Sequence, residues 1–258
     1  MDPIGRVQKA QKRKAEKRYE TLGGRPIFIK NMENLKIIGS SHIAEQSIND
    51  VKAAIDSFKP DIIALELDKR RFYSLTGKKG DKKEKIRLSD MMKVGFSGYL
   101  FSIIGAYVEK KLGNQVGVIP GSEMIAAARL AKKNNIKVAL IDQDIEITLK
   151  RFSKEFSWKE KFRIISDIFR GIFFKKSELK KIGLNALDLT KVPEKEVIKK
   201  LTAMVKKRYP NLYKVLIEER NIVMANNIAH ILKADPDKRV LAVMGAGHEE
   251  EIEQLIKG

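Results

Sequence analysis

Four short apolar runs rich in β-branched residues punctuate the chain: LKIIG at Leu35–Gly39, DIIALE at Asp61–Glu66, KVALID at Lys137–Asp142 and RVLAVM at Arg239–Met244. Each is too short for a buried helix and almost continuous in its hydrophobicity, as a strand covered on both faces should be. Between them the apolar positions recur at helical spacing. One helix is expected over Ala44–Phe58, stopping before Pro60, and another over Leu67–Leu75. A third should start at an N-cap on Ser122 and end at Asn134-Asn135. From Ile145 to Ala234 nearly everything has helical period with mixed charge, and Glu249–Lys257 reads as a closing helix. A fifth run, PIFIK, precedes LKIIG across the turn-rich NMEN, which reads as a hairpin connection.

Strands that are each followed by a helix predict an α/β fold: a mostly parallel central sheet flanked by helices. The stretch 145–234 then forms a helical insertion before the last strand. Residues 25–258 make up this domain, and residues 1–24 a basic helical appendage ahead of it.

Composition narrows the chemistry. The 258 residues contain no cysteine, so disulfides and thiolate-held metal centres are excluded within the chain. Lys+Arg number 52 against 33 Asp+Glu, a net charge of +19, which would draw anionic ligands or lipid. The charge comes without interleaved aromatics or a reader motif, so nucleic acid is a disfavoured partner. A lysine- and isoleucine-rich, cysteine-free chain is what a thermophile tends to make, although acid lags here. The first twenty residues lack the apolar core of a signal peptide, which suits a cytoplasmic protein. Val94–Val108 is uncharged but shorter than the roughly 20 residues of a membrane helix. It reads as buried helix, with docking at the cytoplasmic face of a membrane as the lesser alternative. The basic appendage is placed to contact a membrane or a second copy in a homodimer.

In open α/β sheets ligands collect beyond the carboxyl ends of the strands, and those ends carry the reactive side chains. LKIIG leads to Ser40, Ser41 and His42; DIIALE to Glu66, then Arg70 and Arg71; KVALID to Asp142 and Asp144; RVLAVM to Gly245, Gly247 and His248. Gly39 and Gly245 would turn the chain sharply from strand to helix. The small residues after them leave room for a ligand near a helix N-terminus. Two of the three histidines share this strand–glycine–helix context, whereas His230 sits mid-helix and reads as structural. Glu66 ends a buried run, so its charge needs a partner; the neighbouring arginines are candidates. Glu123 opens a helix, where the dipole alone could favour it, and one of Asp142 and Asp144 could be no more than a helix cap. The expected outcome is one pocket lined by His42, His248, Glu66, Glu123 and Arg71, with His230 outside. Phosphate-loop, HExxH and GxSxG motifs are absent from the sequence, and GAGHEE lacks the third glycine of a dinucleotide loop.

The ordered pieces GSSHIAEQS, PDIIALELDKRR, GSEMIAAARLA, IDQDIEITLKR, EERNIVMA and VMGAGHEEEI resemble the TraB/PrgY pheromone-shutdown family. That family belongs with the TIKI metalloproteases, GumN-like proteins and erythromycin esterases. The resemblance implies hydrolysis of a peptide or ester bond, on a peptide or small-molecule substrate. It implies catalytic roles for His42, Glu66, Arg71, Glu123 and His248, and substrate contacts from Asp142, Asp144, Glu219 and Arg220, to which the strand-end reading adds Ser41 and Gly247. Two mechanisms stand open: a divalent metal on His42, His248 and Glu66 that activates water, or His42 as a metal-free base on water, with Glu66 orienting it and Arg71 stabilising the developing charge. A non-catalytic regulator that binds and sequesters a peptide near a membrane is the alternative. Gln143 stands where the family often has arginine, and longer members continue into apolar membrane segments beyond the last histidine.

Overall fold

The strands β1 (Leu35–Ser40), β2 (Ile62–Leu65), β3 (Lys137–Leu140) and β4 (Val240–Gly245) form one parallel sheet in the order β1-β4-β2-β3. The computed structural model describes residues 29, 32–40, 44–76, 95, 121–173 and 195–257. Helices supply the crossovers that parallel neighbours require: α1 (Ala44–Phe58), α2 (Lys69–Thr76), α3 (Ser122–Lys133), α4 (Ile145–Glu155), α5 (Trp158–Phe173), α6 (Lys195–Arg208) and α7 (Pro210–Tyr213). A π-helical turn (Lys214–Glu218) then leads into α8 (Glu219–Ala234), and α9 (Ala246–Lys257) follows β4. The fold is α/β, as the apolar runs predict.

Alternate residues of the central strands serve two cores. Ile62, Ala64, Ala242 and Met244 face Met224 and Ile228 of α8 and Ile252 and Ile256 of α9. Ile63, Leu65, Leu241 and Val243 face Val51, Ala54 and Ile55 of α1 and Met124, Ala128 and Ala131 of α3. Complete burial of one such aliphatic side chain contributes about 1.5–3 kcal/mol, so the two central strands anchor the domain. β3 departs from expectation. Its first two residues are exposed and the next two half-buried, because it is an edge strand paired on one side to β2. Full burial resumes at Ile141, just past the strand.

The spacing Val51, Ala54, Ile55 gives α1 its apolar stripe; the helix ends at Phe58, and Lys59 turns the chain with φ 48° before Pro60. In α3 the cap is Gly121, not the expected Ser122: Gly121 has φ 88°, and no side chain caps the helix. A Cβ there would lie 3.1 Å from Leu75 Cδ1. Gly121→Ala is expected to lower stability by at least about 1–2 kcal/mol, read as a drop in the denaturation midpoint.

Gly39 does not turn the chain either; it stays within β1. Its hydrogen-only side lets β1 approach the start of α9, since a Cβ would fall 2.9 Å from Ala246 Cα. Likewise α9 begins at Ala246, directly after β4, so Gly247 and His248 lie inside its first turn. Ile29 donates its N–H to Ile256 O at the far end of α9. The basic appendage, the rest of PIFIK and most of Val94–Val108 lie outside the described residues. Among those described, no helix is long and apolar enough to cross a membrane.

Candidate active site at the carboxyl edge of the sheet

β2 and β4 are hydrogen-bonded neighbours, and their carboxyl ends deliver Glu66 and His248 to the same place. Glu66 follows Leu65 in the strand alternation and so points to the α8/α9 face. Its Oε2 accepts the Gly245 N–H at 2.6 Å, and its Oε1 accepts Arg220 Nη2 at 2.5 Å. Arg220 also forks onto Asp142 at the end of β3, with Nε to Oδ1 at 3.0 Å and Nη2 to Oδ2 at 2.8 Å. A fourth bond, from Nη1 to Leu216 O at 3.2 Å, ties the guanidinium to the π-helical turn. The cation that neutralises Glu66 is therefore Arg220 from α8, where the sequence had suggested Arg70 or Arg71. Arg70 pairs with Glu146 instead.

His248 is buried, with 7% of its surface exposed, and places Nε2 3.4 Å from Glu66 Oε1. On its other side, Nδ1 lies 2.5 Å from Asn221 Oδ1. Burial pushes the imidazole below its ordinary pKa, against the pull of Glu66. Burial works to raise the Glu66 carboxyl, but the attraction of His248 and Arg220, with the Gly245 N–H, holds it well below the usual carboxylate range. Arg220 remains charged: burial opposes its cation, and Asp142 and Glu66 outweigh that cost. Arg220 and the Gly245 N–H keep Glu66 ionised and burial favours the neutral ring beside it, the further pull of His248 on Glu66 coming with the protonated ring.

The remaining expected residues are spread more widely. Asp144 caps α4, accepting the Glu146 N–H at 2.7 Å, so of the two aspartates it is the cap and Asp142 the site residue. Asp144→Ala is expected to cost about 0.5–2 kcal/mol, seen as a lower unfolding midpoint. Glu219 forks with Arg151, at 2.6 and 3.1 Å, and braces α8 against α4. Glu123 is buried in the first turn of α3, on the opposite side of the sheet from α8 and α9. Arg71 reaches towards the same turn, its Nη2 3.6 Å from where a Gly121 Cβ would sit. Its helix is capped by Asp68, whose Oδ1 accepts the N–H groups of Arg70 and Arg71. Gln143 is buried and donates to Thr148 Oγ1 at 2.9 Å, a local brace where an arginine would carry charge. Gly247 lies in the first turn of α9, and His230 in the middle of α8. Ser41 and His42 lie outside the described residues. Two surface clefts, one lined by Pro60, Asp61, Asn135 and Lys137 and one by Lys36, Gly39, Ala53 and Glu249, include neither Glu66 nor His248.

Asn221 was not singled out from the sequence, yet it has no exposed surface and holds the candidate base. A signal was available: Asn221, Met224, Ala225 and Ile228 fall on one helical stripe, so a polar residue occupies an apolar phase.

A model of the TraB/PrgY/gumN family matches residues 29–257. The chain belongs to that family. An uncharacterized protein of Methanocaldococcus jannaschii is 35% identical over 225 residues, covering 87% of this chain and 53% of the relative. The TraB domain-containing protein of Homo sapiens is 23% identical over 242 residues, covering 84% of this chain and 61% of its own length. The mouse counterpart matches to the same extent. The chain thus spans about half to three-fifths of the relatives it matches. The matched region carries the Glu66–Arg220–Asp142 cluster and His248 together, so the TraB region includes the whole described edge.

Proposed function

We propose that this TraB-family domain hydrolyses a peptide or ester bond, with the neutral His248 as the base that activates water. The observation carrying the reading is the placement of His248. One ring nitrogen is engaged by Asn221, and the other faces a carboxylate already neutralised by Arg220. In this mechanism Nε2 removes a proton from water as the oxygen attacks the carbonyl carbon. The imidazolium that forms is stabilised by Glu66 at 3.4 Å, and its proton passes to the leaving nitrogen or oxygen as that bond breaks. Arg71, on the α3 side of the edge, supplies positive charge for the developing oxyanion, and His42 is the second histidine of the reading.

A metal ion on His42, His248 and Glu66 fits the described donors poorly. Both Glu66 oxygens already accept N–H groups, and Asp142 is forked onto Arg220. Among the described residues, no group of three or more histidine, aspartate or glutamate side chains is arranged to hold a metal. No step of the proposed mechanism passes through one.

The test is a screen of peptide and ester substrates with and without chelator. Chelator-insensitive turnover that follows the deprotonated form of a group below the ordinary histidine range supports the reading. Tight peptide binding with no turnover of any substrate contradicts it and favours sequestration.

A further inference from the structure

The imidazole of His248 lies between two hydrogen-bond acceptors, and a neutral ring has one proton to give. Asn221 Oδ1 stands 2.5 Å from Nδ1, and Glu66 Oε1 stands 3.4 Å from Nε2. If the proton sat on Nε2, the ring would donate to Glu66 and have no base to offer the site. What fixes the answer is the orientation of the Asn221 amide, and that orientation is set from a third direction. Asn221 Nδ2 donates to Glu251 Oε2 at 2.7 Å, while the buried Tyr213 hydroxyl donates to Glu251 Oε1. A carboxylate only accepts. Burial, reinforced by Glu251, pushes the Tyr213 phenol above its ordinary pKa, so it remains a donor. Every bond in the chain therefore has one permitted direction: Tyr213 to Glu251, Asn221 to Glu251, His248 Nδ1–H to Asn221.

We propose that Asn221, oriented by Glu251, is a positioning residue that holds the His248 proton on Nδ1 and so leaves Nε2 as the base. The inference rests on the hydrolytic reading only for its purpose; the tautomer itself is a property of the folded chain. It also gives the helical stretch before β4 a role in the site. Tyr213 ends α7, Asn221 lies in the first turn of α8, and Glu251 is one turn beyond His248 on α9. The hydrogen bonds thus link α7, α8 and α9.

The experiment is long-range proton–nitrogen NMR on the histidine rings of the full chain at mildly alkaline pH. Loss of one ring's signals in His248→Gln assigns the resonances. The expected wild-type result is a pyrrole-like Nδ1 and a pyridine-like Nε2 at His248. In Asn221→Leu the remaining acceptor is Glu66, so the two nitrogens should exchange character. Tyr213→Phe, which leaves Glu251 and Asn221 in contact, should keep the wild-type pattern. A wild-type ring protonated at Nε2, or an Asn221→Leu ring still protonated at Nδ1, overturns the proposal. Because the wild-type measurement is decisive alone, the proposal remains open to refutation even if Asn221→Leu fails to fold. Failure here with intact hydrolysis removes the positioning role; the expected tautomers with full turnover in His248→Gln remove His248 as the base instead.

Discussion

Replacing Arg220 with leucine is expected to destabilise the domain by about 3–5 kcal/mol at neutral pH, the usual cost of stripping the partner from a buried charge. Glu66 retains 9% of its surface and Asp142 is also part of the buried pair, so two carboxylates lose one shared cation. The loss should depend on pH in a definite direction. In the wild type the Glu66 carboxyl is held below its unfolded value of 4.5, so its stabilisation is present above that pH and disappears as pH falls through the folded value, about 2. Without Arg220 burial still works to raise the carboxyl, and at neutral pH the neutral ring of His248 offers no charge against it. The variant is then penalised most at neutral pH, and the gap to wild type should narrow as acid protonates Glu66. Chemical denaturation at neutral pH and at pH about 4 tests this directly. A gap that widens on acidification would show that Arg220 does not balance Glu66. Replacing Lys257 and Glu253, an exposed pair one turn apart on α9, should change stability by no more than about 0.3–0.5 kcal/mol.

The fold was legible because its signals are local and repeated. Four β-branched runs, each followed by a helix, define a parallel sheet, and their order in space brought Glu66, His248 and Asp142 to one edge. What escaped the sequence depends on partners far away along the chain. KVALID reads as a buried strand from its composition, but burial also depends on neighbours, and β3 has a strand on only one side. Arg220 could not be assigned to Glu66 from spacing, since 154 residues separate them and Arg70 and Arg71 were nearer. The π-helical turn at Lys214–Glu218 adds to the difficulty. It breaks the strict 3.6-residue period between α7 and α8, so the stripe has to be read within α8 alone. Glycine misled in a different way. Gly39 looked like a turn residue, yet it stays in β1 and permits a close approach by α9, whereas Gly245 does stand at the step from β4 into α9 and also presents its N–H to Glu66. At Gly121 the reverse held: the serine beside it looked like the cap, but the left-handed backbone selected glycine.

The measurement that bears most directly on the account is kcat/KM for the best substrate of the hydrolysis screen, wild type against His248→Gln, across pH. A general base contributes about 10²–10⁴-fold, so the variant should lose that factor while a matched unfolding midpoint shows the fold intact. For the wild type the active form is the neutral ring. Since burial lowers the imidazole below 6.5, the rate should stay level through neutrality and fall only on the acid side of that value, and this limb should vanish in the variant. A folded His248→Gln chain that retained the wild-type rate and the same acid limb would contradict the assignment of His248 as the base.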